Sequence, residues 1–475
     1  MLLRAETQRA LRDFVCEKVA PELSSAIESQ LGHPPSETSA RIENASLALF
    51  ACAELTRDAE VRENLRSVAR RGMEYALHCD PDSGGLYEGL TGLVASHRVA
   101  AELFGVSLSE HIRTSLLGSV LADLEERAVE CSKSEPATLE ETYDLLHGWG
   151  GVLAMAQGEP GETAETLRVA CERLLRSSAQ EVSGYAYFRA HGPLDIEHYG
   201  EAINMGTAHG VGLLGPLLRS KALEPVAQGL VRLVVDVGAA AVGRAAATGS
   251  IFPASLPIAA LDDLGGWLGA RTVSARFGWC YGDPGIALVL ARAHAVSQNV
   301  GFANDIERLV VRCAEGHRSA QQTLVVDASL CHGAAGNFHC LAVLYGVTRD
   351  ERLLPALEFW ANDVLAWSKN RQLHFLPERS GYEELQPLSL LGGWAGIALS
   401  IASGLGTIPA TWDHVLCGLR AICSKATART PTQSITSNLR TANAWARERE
   451  RCHPAFACMQ QRMRRRRSND RFAIQ

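Results

Sequence analysis

Between residues 4 and 30, apolar positions recur at helical spacing, with Leu11, Phe14, Val15 and Val19 on one face. This predicts an amphipathic helix, broken at Gly32-His33-Pro34-Pro35. Residues 39–56 predict a second helix, and beyond them the pattern becomes periodic. A glycine-marked turn followed by an apolar helix recurs six times, around Gly89, Gly148, Gly210, Gly282, Gly333 and Gly393, at intervals of 59, 62, 72, 51 and 60 residues. Five of these turns read Gly-x-x-Gly; the one at Gly210 has Leu213 where the second glycine would fall. A seventh copy without glycines is legible upstream, where Ala45–Leu55 ends in Ala-Glu-Leu as Val94–Leu103 does.

Helical stretches with one charged side lie between the turns, for example 163–178 and 355–370, whereas the glycine-led stretches carry few charges. A long repeat of this kind with few strand signals predicts stacked helical hairpins, an apolar inner layer inside a half-polar outer one. Helices that start at glycine turns on one side would also aim their unpaired backbone N–H groups at a single face, a natural place for an active site.

The chain has 475 residues and is 47% hydrophobic, enough for a large core. Its net charge of −7 gives no reason to expect nucleic acid. From Arg420 onward there are thirteen Lys and Arg against three Asp and Glu, so the tail carries +10 and the body −17. The expectation for 420–475 is a disordered extension; an acidic leader peptide, a membrane surface or a partner enzyme are the alternatives its charge allows. The thirteen cysteines are scattered and odd in number, which argues against a disulfide framework. Cys16, Cys52 and Cys171 read as small core residues. The start lacks a signal-peptide apolar region, and no apolar run is long enough to span a membrane, so the expected location is cytoplasmic, with membrane association through a partner complex as a variant.

Two turns carry metal-ligand chemistry. Trp279-Cys280-Tyr281-Gly282-Asp283-Pro284-Gly285 and Cys331-His332-Gly333 supply Cys, Cys and His, a set that suits a zinc ion with a fourth position open. Adjacent Cys331 and His332 would diverge in mid-helix but can converge where the backbone turns into a helix.

With Ala208-His209-Gly210, and with Tyr143-Asp144 ahead of Gly148, these two motifs resemble the lanthionine synthetase C-like family in kind and order, over roughly residues 40–419. The resemblance implies an all-α fold, an α/α toroid of about seven inner and seven outer helices within a domain spanning 1–419. It implies one zinc ion on Cys280, Cys331 and His332, and the addition of cysteine thiols to dehydroalanine or dehydrobutyrine of a dehydrated precursor peptide, closing thioether rings. His209 matches the family's histidine near the metal and suits a proton donor; Asp144 matches its aspartate, to orient His209 or take the thiol proton, or else acts as a helix cap. Arg276 matches a family arginine, to hold an enolate oxygen or an acidic partner, and Tyr281 is placed to donate a hydrogen bond. A zinc ion with two thiolates and one neutral imidazole is formally uncharged, so a bound substrate thiolate keeps its nucleophilic charge.

A separate dehydratase is implied as partner, since the chain contains no dehydratase region, and an export transporter is a further candidate. Other readings remain. The chain could add glutathione or another thiol, or catalyse a prenyltransferase-like step with Asp283 as an extra ligand. It could also bind zinc without catalysis, which would need a fourth ligand from His147 or His209. Otherwise His147, His339 and Cys340 read as packing, and Trp149, Trp279 and Trp394 either line a peptide groove or fill the ring.

Overall fold

A computed structural model of the chain describes residues 3–35, 42–79, 84–87, 89–133, 143–190, 202–241, 250–270, 275–297, 300–315, 323–325, 327–369 and 388–413. The basic tail and the boundary expected at 419 lie outside the described residues.

The glycine-led stretches become the inner layer. Its helices are Ile42–Leu55, Leu90–Phe104, Trp149–Ala156, a 3₁₀ turn Val211–Leu213 running into Leu214–Leu218, Asp283–Ser297, Ala334–Thr348 and Trp394–Gly404. Each packs on the next, and the last packs on the first, so the ring is closed. The glycine-free copy therefore takes the seventh inner place, and Ile42–Leu55 is buried along its whole length except for Glu54. An inner helix has neighbours on both flanks and an outer helix behind it, which is why these stretches are apolar all round.

The outer helices are Ala59–Ala76, Glu110–Lys133, Glu162–Ser178, Glu224–Ala241, Val300–Glu315 and Leu354–Lys369. They bury one stripe each, as in Glu162–Ser178, where Ala164, Leu167, Cys171 and Leu175 face inward at helical spacing. The N-terminal 5–31 completes this layer. Its helices Ala5–Phe14 and Ala20–Leu31, joined by the π-helical turn Val15–Val19, pack on Leu354–Lys369 at one end and Ala59–Ala76 at the other. Arg4 adds an ion pair to Glu358 at 2.8 Å.

The second glycine of each turn answers to sterics rather than to backbone angle. A Cβ on Gly92, Gly151, Gly285, Gly336 or Gly396 would lie 2.2, 2.2, 2.0, 1.9 or 2.0 Å from the carbonyl oxygen six residues back, on Leu86, Leu145, Trp279, Leu330 or Leu390. The chain must cross its own first helical turn closely, and only hydrogen fits there. In the third turn Gly212 makes the same approach to the carbonyl of Thr207, five residues back, with 1.8 Å left for a Cβ. This turn is one residue shorter, so its helix opens as 3₁₀ and Leu213 needs no glycine.

Two short antiparallel strand pairs interrupt the helices: the hairpin Gln180–Val182 with Tyr185–Tyr187, and Ala202–Asn204 with the distant Ser255–Pro257. The second brings Asn204 to the glycine-turn face, where its Nδ2 donates to the Tyr281 hydroxyl at 3.1 Å. Among the described residues no helix is long and apolar enough to cross a membrane.

Candidate active site

The turns are sewn to one another by backbone hydrogen bonds. Tyr87 N–H donates to the Leu146 carbonyl at 2.7 Å, Thr207 to Cys280 at 2.8 Å, Cys280 to Cys331 at 2.9 Å and Cys331 to Leu391 at 3.0 Å. Equivalent positions of neighbouring turns are thus in register, and this brings two cysteines 51 residues apart side by side. His332 follows Cys331 just ahead of the Ala334–Thr348 helix, whose N-cap is Gly333 in extended backbone. Gly282, between Cys280 and its helix, has φ of +122°, a conformation that only glycine adopts without strain.

Cys280, Cys331 and His332 each offer a ligand atom, and those atoms lie within 4.8 Å of one another. Cys280 and His332 are buried and Cys331 is half-exposed. Thiol, thiol and imidazole are the donors zinc prefers, and three protein ligands are the number found in zinc sites that keep a position for substrate. His332 Nε2 lies 3.0 Å from a carboxylate oxygen of Asp327, which leaves Nδ1 as the nitrogen for a metal. Such a carboxylate behind a ligating histidine fixes the ring and raises its basicity. Asp327 is itself held by the Ser329 N–H at 2.7 Å. The donor set, its spacing and this carboxylate all fit a zinc ion.

Protons are shared within the cluster. Hydrogen bonding to Cys331 holds the Cys280 thiol down at about 5, against burial and with help from His332 and the Arg276 charge. Cys331 is pushed up correspondingly by Cys280 and by burial. Burial lowers His332, yet Asp327 and Cys280 outweigh it and raise the imidazole to about 9. Arg276 is exposed at the rim, and its charge favours the thiolate on both cysteines.

One turn away stands His209. Its Nδ1 is bonded to Asp144 Oδ2, and Asp144 is fully buried. The other carboxylate oxygen accepts the N–H groups of Leu146 at 2.6 Å and His147 at 2.8 Å. Asp144 thus both caps its own turn and grips His209. The His209 ring lies 5.9 Å, centroid to centroid, from Tyr281, whose neighbours Cys280 and Gly282 belong to the metal-ligand turn. Burial raises the Tyr281 phenol above its usual range, so it stays a hydrogen-bond donor.

Other sequence candidates fall away from the cluster. The Asp283 carboxylate accepts backbone N–H groups of Ile251 and Phe252 at 3.0 and 3.3 Å and lies 3.6 Å from Arg312. Burial raises it to about 6. It is turned into the protein, and among the described residues neither it, His147 nor His209 joins the donor group. Trp149, Trp279 and Trp394 are buried, and Trp394 lies against Phe14 of the N-terminal helix. Asp327 and Asn204 escaped the sequence reading. The one visible signal was Asp327 five residues before His332; Asn204 lies on a strand whose partner begins 51 residues later.

Residues 259–417 match the family model described as lanthionine synthetase C-like protein. Over 86% of this chain and 98% of the other, the fold superposes on a solved structure of nisin cyclase with a TM-score of 0.64 and 16% sequence identity. The likeness at that identity is one of fold, a helical toroid. Over residues 259–417 the chain is thus similar to lanthionine synthetase C-like proteins, and it shares the toroid fold of nisin cyclase.

Proposed function

We propose that the chain is a lanthionine synthetase C-like, zinc-dependent cyclase, which adds cysteine thiols of a dehydrated precursor peptide to its dehydroalanine or dehydrobutyrine residues. The observation that carries the reading is the meeting, on one face, of a three-donor metal group with the buried-carboxylate pair Asp144–His209.

Cys280, Cys331 and His332 would hold the ion, which supplies deprotonation of a cysteine thiol whose ordinary pKa of about 8.5 leaves little thiolate at neutral pH. The reaction is an isomerisation. A sulfur–carbon bond forms at the β-carbon, the carbon–carbon double bond becomes single, and the thiol hydrogen is replaced by one delivered to the α-carbon. The peptide enolate formed between these events needs a hydrogen-bond donor and a proton. The Tyr281 hydroxyl, oriented by Asn204, is suited to the first task, and the Arg276 charge at the rim favours the same anion. His209 is suited to the second: Asp144 occupies Nδ1, so proton delivery runs through Nε2. A precursor dehydrated elsewhere requires a separate dehydratase.

The test is to incubate zinc-loaded protein with a dehydrated precursor, alkylate, and count free thiols by mass spectrometry. Each ring removes one alkylation without changing the peptide mass. If thiols persist, or Cys280→Ala closes rings as the parent does, the proposal is wrong.

A further inference from the structure

Each of the six glycine turns presents one half-exposed side chain from an otherwise buried stretch. Among the described residues of 84–97 it is Tyr87; of 143–156, His147; of 202–217, His209; of 277–293, Tyr281; of 327–341, Cys331; and of 388–402, Leu391. Backbone bonds link the first turn to the second, and the third to the fourth, fifth and sixth in series; the Asp144–His209 bond joins the two runs. Three have been given work above. Tyr87, His147 and Leu391 have not.

His147 is placed with care. The carboxylate that grips His209 also accepts the His147 backbone N–H, at 2.8 Å, so one buried group sets both histidines. The Arg127 guanidinium holds the His147 carbonyl at 3.1 Å. The Tyr87 ring meets the imidazole edge-on, centroids 5.9 Å apart, and the Tyr87 hydroxyl is tied to Ser389 at 3.0 Å, across to the sixth turn. His209 and Tyr281 repeat this spacing of 5.9 Å two turns further on. The result is an arc of four ring side chains, Tyr87, His147, His209 and Tyr281, that ends at the metal-ligand turn. In each turn the half-exposed residue lies one or two positions ahead of the register glycine, within a stretch otherwise buried.

We infer that His147, braced by Tyr87, is a substrate-positioning residue that holds the dehydroamino-acid segment of the peptide against His209. This rests on the reading of the site as a cyclase. A dehydroamino acid is a flat, conjugated enamide: its face suits the Tyr87 and His147 rings, and its carbonyl suits an imidazole donor. Leu391, on the far side of Cys331, offers an apolar contact to residues flanking the incoming cysteine.

The experiment uses full-length, zinc-loaded protein and a short fluorescein-labelled peptide that carries dehydroalanine and no cysteine, so it binds without reacting. A matched peptide with alanine in its place is the comparison. His147→Ala is expected to weaken binding of the first peptide about tenfold, the effect of one lost hydrogen bond, with zinc content unchanged. His147→Asn keeps a donor and should recover part of the loss, whereas His209→Ala should leave binding within about twofold and lower turnover instead. With a dehydrated, cysteine-bearing peptide, His147→Ala should raise KM more than it lowers kcat. Equal binding by wild type and His147→Ala, no preference for dehydroalanine over alanine, or no binding by folded wild type overturns the inference. If the preference and its loss are seen while no precursor is cyclised, the subsite stands and the cyclase reading fails.

Discussion

At the scale of single residues, Asp144 explains most about the site. Its two oxygens do separate jobs, one on backbone and one on His209. An amide in its place can keep the cap but turns its NH2 toward Nδ1, which selects the wrong imidazole tautomer. Asp144→Asn should therefore lower cyclisation by about 10²–10⁴-fold, the usual worth of a general acid, while the melting curve and zinc content stay put. A parallel loss of fold would show the cap to be its main role. Asp327 acts on the metal side. Asp327→Asn should weaken zinc binding about 10–100-fold, read by competition with a chromogenic chelator. His97, on an inner helix, is buried, and burial lowers its pKa to about 4 from 6.5. The folded state then resists a proton that the unfolded chain takes up, so its contribution is intact above pH 6.5 and is lost as pH falls from there toward 4. Chemical unfolding across that window should show His97→Leu losing less stability than the parent; identical pH slopes would remove His97 as the cause.

At the scale of elements, the glycine turn is the unit, and it was largely legible because its cause is local. A Cβ six residues past a carbonyl has nowhere to go, so the glycines stand in the sequence as steric necessities. Gly336→Ala would set a Cβ 1.9 Å from the Leu330 carbonyl oxygen. Overpacking of this kind should cost about 1–3 kcal/mol and loosen the adjacent Cys331 and His332. Gly346 on the same helix has nothing within 4 Å of its Cβ position, so Gly346→Ala should gain about 0.5–1 kcal/mol. Urea titrations of the two variants give the comparison, and equal effects would refute the steric account. The candidate ligands Cys280, Cys331 and His332 and the pair Asp144–His209 were readable because they occupy this repeated turn. What stayed hidden depends on chain segments folding back at no fixed interval: Asp327 from an irregular approach to its turn, Asn204 from a short strand, and the third turn's one-residue shortening, whose compensation by Gly212 only geometry reveals.

At the scale of the molecule, the ring must be closed across its gap, and the sequence left that open. The first inner helix lacks a glycine turn, so on the turn face Tyr87 and Ser389 bridge directly. Inside the ring a second device does the same. The 3₁₀ turn Ala410–Asp413 packs on Leu90–Phe104 and Trp394–Gly404. From it, Asp413 pairs with Arg292 of Asp283–Ser297 and accepts a hydrogen bond from His339 Nε2 of Ala334–Thr348 at 2.8 Å. Trp412 packs on the same histidine with centroids 4.7 Å apart. One short segment thus touches four inner helices, and the His339 expected as packing is a hydrogen-bonded part of it. Arg292 and Asp413 are 4% and 1% exposed, so neither charge is solvated alone. Removing one partner strands the other, and Asp413→Ala should cost about 3–5 kcal/mol. Replacing both, with Arg292→Met added, should return much of that loss, because the stranded charge is gone. If Asp413→Ala alone costs less than about 1 kcal/mol, the pair behaves like a surface salt bridge and the segment is no clasp. If it costs the full amount in a single cooperative transition, with no early loss of one sector, the seven inner helices unfold as one ring whose closure at Asp413 supports the metal face from within.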